Sequence, residues 1–165
     1  MKKFLLLIAA VFASASVMMS CSGTKTAEAT DENVLAPLPD SVYVQKLEND
    51  SLLRPDTKVE RLTVLDFNAV WCGPCQLLKP SFHAAADSLH GKVDFYSVDI
   101  DSMRATADAF KIQAVPTIVI LSPTDTVRTY LGLDPYIKGF DPDTIQTIEQ
   151  FGSYITPELI KIIEE

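Results

Sequence analysis

The chain has 165 residues, 47% of them hydrophobic and 22% charged, and a formal net charge of −8. That length admits one domain with appendages, and the acidic balance excludes the basic face that a nucleic-acid partner requires. Three cysteines is an odd count: Cys72 and Cys75 form one Cys-x-x-Cys pair, and Cys21 is left over.

The N-terminus accounts for Cys21. Met1-Lys2-Lys3 is a short basic start, Phe4 to Phe12 is an apolar run of nine residues, and Ala13, Ser14, Ala15 and Ser16 are small. This is the pattern of a secretory signal peptide, too short to cross a bilayer as a helix. Two processing sites remain open. Ala13-Ser14-Ala15 offers a cut to an ordinary signal peptidase. Met18-Met19-Ser20-Cys21 resembles a bacterial lipobox, although Met18 stands where leucine is usual. In that reading Cys21 becomes the first mature residue and is acylated, which disposes of the odd thiol. The acyl chains would anchor the protein in the lipid bilayer, each buried methylene adding ~0.8 kcal/mol. The expected organisation is a lipoprotein-type signal peptide over 1–20, a flexible tether over 21–40 and a folded domain over 41–165 on the periplasmic side of a bacterial membrane. Loss of residues 1–20 removes Lys2 and Lys3 and takes the charge from −8 to −10.

The tether is rich in Ser, Thr, Ala, Glu, Asp and Pro and lacks apolar periodicity. Val42 and Val44 then suit a short edge strand, and Leu47, Leu52 and Leu53 a loose helical turn. Glu60 to Val70 carries a near-continuous apolar run, the sign of a strand covered on both faces. Pro74 to His90 reads as a helix with an apolar face of Leu77, Leu78, Phe82, Ala85, Ala86 and Leu89, kinked at Pro80 and ended by Gly91. Lys92 to Ile100 is a second strand. Asp101 and Ser102 are candidate N-caps for a helix from Met103 to Phe110. Ile118 to Leu121 and Thr126 to Leu131 read as strands joined by the turn Ser122-Pro123-Thr124-Asp125. Gly132 to Asp143 is irregular. Thr144 to Phe151 is expected to be a helix, and Thr156-Pro157-Glu158 the capped start of another. The βαβα order followed by two strands and helix predicts an α/β fold, a central mixed sheet with helices on both faces.

The chemistry concentrates in Trp71-Cys72-Gly73-Pro74-Cys75. Two cysteines at this spacing on a strand-to-helix junction suit redox exchange, although zinc and copper sites share the Cys-x-x-Cys spacing. With Asp66-Phe67-Asn68-Ala69 before it, Pro80 five residues after Cys75, Val115-Pro116-Thr117 downstream and Gly132 after the last strand, the chain resembles thioredoxin from about Arg61 to Gly132. Asn68 stands where the family has tryptophan, and Ser97 where a lysine commonly accompanies the buried acid. Leu133 to Asp143 is longer than in compact members and could shape partner choice.

The resemblance implies a thioredoxin fold and a thiol–disulfide oxidoreductase of reducing type with no cofactor and no metal. Cys72, at a helix N-terminus whose free N–H groups and dipole favour a thiolate, is the expected nucleophile. Cys75, deeper in the helix, is the expected resolving thiol, and the two form the redox disulfide. Asp66, an acid inside an apolar strand, should have a raised pKa and exchange a proton with Cys75. Gly73 and Pro74 keep the loop tight. Pro116 is expected to be cis and packed on the cysteines, with Val115 offering its backbone to substrate and Trp71 flanking the thiols. His83 and His90 are not expected to serve as ligands. The expected partners are protein disulfides and an upstream membrane thiol-transfer protein, with the chain itself monomeric. Two alternatives stand beside this: a soft-metal carrier that binds Cu(I) through Cys72 and Cys75, and a redox-silent binding module that keeps the fold.

Overall fold

The computed structural model describes residues 40–47, 53–139 and 147–165. At its centre is β2 (Leu62–Asn68), with Thr63 through Phe67 all buried. It is hydrogen-bonded on one side to β3 (Val93–Asp99), in parallel, and on the other to β4 (Thr117–Leu121), antiparallel. β1 (Val44–Lys46) adds in parallel to β3, and β5 (Val127–Leu131) pairs antiparallel with β4. The resulting order is β1-β3-β2-β4-β5. The mixed sheet is the expected one, and the near-continuous apolar run of β2 is explained: both faces of the strand need cover.

Side chains alternate across β2 and sort into two cores. Val64 faces α1 (Gly73–Ser88) and α3 (Ile148–Glu164), joined by Phe82, Phe95, Ile118, Ile120, Ile155 and Leu159. Leu65 and Phe67 face the opposite way, onto Met103 and Ala107 at α2 (Arg104–Ala109), with Val98, Val119 and Leu121. Aromatic contacts join the layers: Phe82 meets Phe95 edge-on with ring centres 5.3 Å apart, and Phe67 meets Phe110 in a tilted contact at 5.3 Å.

α1 starts at the cysteine loop with Pro74 in its first turn, where a missing N–H removes no helical bond. It continues past Pro80 to Ser88, and Gly91, at φ +78°, takes the left-handed turn into β3. His90 Nδ1 donates to the Asp87 carbonyl at 2.7 Å, satisfying one of the helix's last acceptors.

The N-terminal segment is fastened along α1. Lys79 pairs with Asp40 at 2.8 Å, the Ser41 N–H donates to His83 Nδ1 at 2.7 Å, and Ser41 Oγ donates to Asp87 at 2.6 Å. Tyr43 stacks on His90 with ring centres 4.6 Å apart. Positions 79, 83 and 87 share one face of α1, and with His90 just past its end four side chains hold three residues of the segment, Asp40, Ser41 and Tyr43. Burial lowers the pKa of His83, which suits the neutral ring that accepts from Ser41.

Three expectations are corrected. The two C-terminal helices are one: α3 runs unbroken through Pro157, and Thr156 is not a cap but donates back to the Gly152 carbonyl at 2.7 Å. Ile155, Leu159 and Ile163 are buried at four-residue spacing across Pro157, so packing on α1 outweighs the local start signal. The true start is Thr147, whose hydroxyl accepts from Gln150 N–H while Gln150 returns a bond to Thr147 N–H, a capping box. Neither Asp101 nor Ser102 caps α2: Met103 occupies that position, and both candidates are drawn into a turn on Asp99, Asp101 N–H to its carboxylate at 3.0 Å and Ser102 Oγ to its carbonyl at 3.2 Å. Leu47 and Leu53 are not helical. Leu52, the 144–146 helix start and residues 140–143 lie outside the described residues, as do the signal peptide, Cys21 and residues 21–39 of the tether.

Candidate active site

β2 ends at Asn68, and four residues later Cys72 is the N-cap of α1, in extended conformation. Cys72 and Cys75 are joined by a disulfide with Cα atoms 5.3 Å apart. The Cys75 N–H donates to Cys72 Sγ at 3.1 Å, so the sulfur takes the place a cap oxygen usually holds. No acidic side chain lies in the first turn of α1 to oppose negative charge there. A thiolate on Cys72 would meet free N–H groups and the positive end of the helix dipole.

Although Cys75 is the deeper in the helix, the two cysteines are equally buried in this oxidised state: Cys72 is 4% exposed and Cys75 3%. The bond draws both sulfurs against Ala69, with Ile100 and Val115 alongside. The asymmetry lies in the backbone, where Cys72 precedes the helix and Cys75 is inside it. Gly73 and Pro74 form the exposed rim between them.

The Val115–Pro116 peptide is cis, with Pro116 buried. Thr117 Oγ1 donates to the Ala114 carbonyl at 2.8 Å, and Gly132 N–H donates to the Pro116 carbonyl at 2.8 Å. Gly132 sits at φ +69°, which turns the chain back onto the loop. Trp71 is 68% exposed, not part of the core, and its Nε1–H donates to Asp101 Oδ2 at 2.8 Å. Val70 beside it is 83% exposed. The cysteines thus lie inside an apolar rim.

Asp66 lies on the α1 face of β2, and with Cys75 it lines a cavity of about 460 Å³. Burial raises its pKa to about 7, opposed by a hydrogen bond from Asn68. Asn68 Nδ2 donates to Asp66 Oδ2 at 3.2 Å and to Ser97 Oγ at 2.9 Å. Asp66 Oδ1 has no hydrogen-bond partner in the protein. The sequence marked Asn68 and Ser97 as departures from the family pattern but not as partners of each other; they meet diagonally, Ser97 pairing in register with Asp66 two residues before Asn68.

Tyr136, from the irregular segment after β5, went unremarked in the sequence. It is fully buried in the core on the α1 face, and burial together with the nearby Asp66 charge raises its pKa. Its apolar neighbours show that this part of the segment serves the core. Among the described residues no three histidine, cysteine or carboxylate side chains converge as metal ligands.

The thioredoxin family model matches residues 40–138. Over 93 residues the chain is 36% identical to a thioredoxin of Malassezia sympodialis, spanning 56% of this chain and 89% of that protein. It is 38% identical over 72 residues to thioredoxin H2 of Arabidopsis thaliana, covering 44% of this chain and 53% of that one. Among solved structures, chloroplastic thioredoxin z superposes with a TM-score of 0.52 at 26% identity, covering 74% of this chain and 96% of that one.

The carboxyl pKa carries a stability consequence. A carboxyl whose pKa rises from 3.8 to about 7 on folding binds its proton more tightly in the native state, so its contribution is present at low pH and lost as pH rises through that window. The full difference is on the order of 4 kcal/mol. Denaturant titrations of oxidised wild type and Asp66→Asn should diverge between pH 4 and pH 8, the variant becoming relatively more stable at the alkaline end. Parallel curves across that range would contradict the buried-acid assignment.

Proposed function

Because this chain belongs to the thioredoxin family, we propose that it works as a reductant of protein disulfides on the periplasmic side of a bacterial membrane, held there by acylated Cys21. The coarser statement needs no proposal: the chain is a thioredoxin-like disulfide oxidoreductase. The observation that carries the reading is the Cys72–Cys75 disulfide at the first turn of α1, beside a buried acid.

The geometry supports the following cycle. In the reduced protein the Cys72 thiolate attacks one sulfur of a substrate disulfide, and the other substrate sulfur leaves and is protonated. Asp66 takes the proton of Cys75. The Cys75 thiolate then attacks Cys72 Sγ, the bond to the substrate sulfur breaks, and the reduced substrate departs. Two electrons have passed from the dithiol to the substrate, so a donor dithiol must restore the pair. With a pKa near 7, Asp66 can both accept and return a proton near neutral pH. The apolar rim of Val70 and Trp71 would receive the substrate, and the Val115 backbone would pair with an extended segment of it.

The location rests on the sequence of residues 1–21: a basic start, a nine-residue apolar run, and Ser20-Cys21 after it. Outside the cytoplasm the donor would be a membrane thiol-transfer protein. Apocytochrome c thiols and misoxidised envelope proteins are fitting clients, and the segment after Gly132 a fitting place for their selection.

Insulin reduction with dithiothreitol as electron source tests the enzyme reading. Wild type should accelerate precipitation of the insulin B chain, and Cys72→Ser should fall to the uncatalysed rate. Equal rates would favour the metal-carrier or redox-silent alternative. The anchor has a separate readout: wild type should fractionate with membranes and Cys21→Ala with the soluble fraction, whereas a soluble wild type would overturn lipidation.

A further inference from the structure

Asn68 closes β2 on the same face as Asp66. Its Nδ2 donates to three acceptors: the Asp66 main-chain carbonyl at 2.9 Å, Asp66 Oδ2 at 3.2 Å and Ser97 Oγ at 2.9 Å. A main-chain carbonyl can only accept, so it is the nitrogen of the amide that faces the carboxyl. Two N–H groups serving three acceptors leave that nitrogen fully engaged. Asp66 Oδ1, in contrast, is buried with no partner in the protein. Asp66, Asn68, Ser97 and Cys75 line the same cavity.

We propose that Asn68 is a positioning residue for thiol–disulfide exchange: its amide anchors one carboxyl oxygen of Asp66 against the sheet and leaves the other as the oxygen that exchanges a proton with Cys75. This rests on the proton-transfer role given to Asp66 above. In the resolving step, Oδ1 takes the proton from Cys75 Sγ, the sulfur's electron pair forms the bond to Cys72 Sγ, and the bond from Cys72 to the substrate sulfur breaks. Ser97 holds the amide from the neighbouring strand, where it pairs in register with Asp66 itself. The clamp therefore spans two central strands and depends on no cation.

The surroundings support this. Lys79 and His83 of α1, Asp99 of β3, and Asp40 and Lys46 of the N-terminal segment line the same cavity as the carboxyl, and Tyr136 of the segment after β5 interacts with its charge. Burial raises the pKa of the carboxyl and the Asn68 bond opposes that rise. A donor to the carboxylate favours the charged form, so Asn68 also keeps the acid able to let its proton go near neutral pH.

The test pairs a carboxyl titration with kinetics. The Asp66 carboxyl is followed by ¹³C NMR in the oxidised protein, and insulin reduction is measured against pH, for wild type, Asn68→Ala, Asn68→Leu and Asp66→Asn. Leucine has the same number and branching of side-chain heavy atoms as asparagine and keeps the strand packed should alanine fail to fold. The expected wild-type midpoint is about 7. Both Asn68 variants should titrate about one pH unit higher, the kinetic inflection should move the same way, and Asp66→Asn should lack that inflection. If both Asn68 variants keep the wild-type midpoint while Asp66→Asn loses the inflection, the role of Asn68 is overturned and that of Asp66 survives. If the carboxyl midpoint moves and the kinetic inflection does not, Asn68 has no part in the reaction. An inflection retained in Asp66→Asn overturns the proton-transfer reading itself.

Discussion

β2 is hydrogen-bonded to a strand on each side and covered by helices on each face. A polar side chain there is largely withdrawn from bulk water. It must be paired by its neighbours or remain at a cost of roughly 1–3 kcal/mol. Asp66 stands under that constraint, and much of the site follows from it. Burial keeps the acid near neutrality, the Asn68 amide meets one of its oxygens, and the other is left beside the cavity it shares with Cys75.

The same strand sets the other half of the chemistry. Because β2 runs in the core, its end delivers the chain directly to the N-terminus of α1, and the first side chain to meet that terminus is Cys72. In the proposed cycle, helix dipole and free N–H groups act on one sulfur and the buried acid on the other. The cis Val115–Pro116 loop closes the site from β4, the antiparallel neighbour of β2. Three supports of the cysteine pair are thus consecutive in space around one strand.

Local signals made much of this legible. The apolar run around Asp66, the Cys-x-x-Cys spacing and Pro116 led to the strand, the fold and the family, because each reflects a requirement within a few residues. The errors came where distant contacts outweigh local ones. Thr156-Pro157-Glu158 has the form of a helix start, yet the Ile155, Leu159 and Ile163 stripe packs on α1 as one face. Asp101 and Ser102 have cap chemistry, but Asp99 captures both first. Asn68 and Ser97 are far apart in sequence and meet only because β2 and β3 pair in register. Tyr136 follows two charged or conformationally restricted residues and gives no periodic sign that it enters the core.

The claim on which the account depends is that helix and acid divide the cysteines into an attacking and a resolving thiol. Alkylation of the reduced protein with iodoacetamide across pH, with the modified residue identified by mass spectrometry, tests it most directly. The account predicts that Cys72 is modified first, with a midpoint below the ~8.5 of an ordinary cysteine, while Cys75 stays unmodified. Modification of Cys75 first, or a Cys72 midpoint at or above the ordinary value, would contradict it.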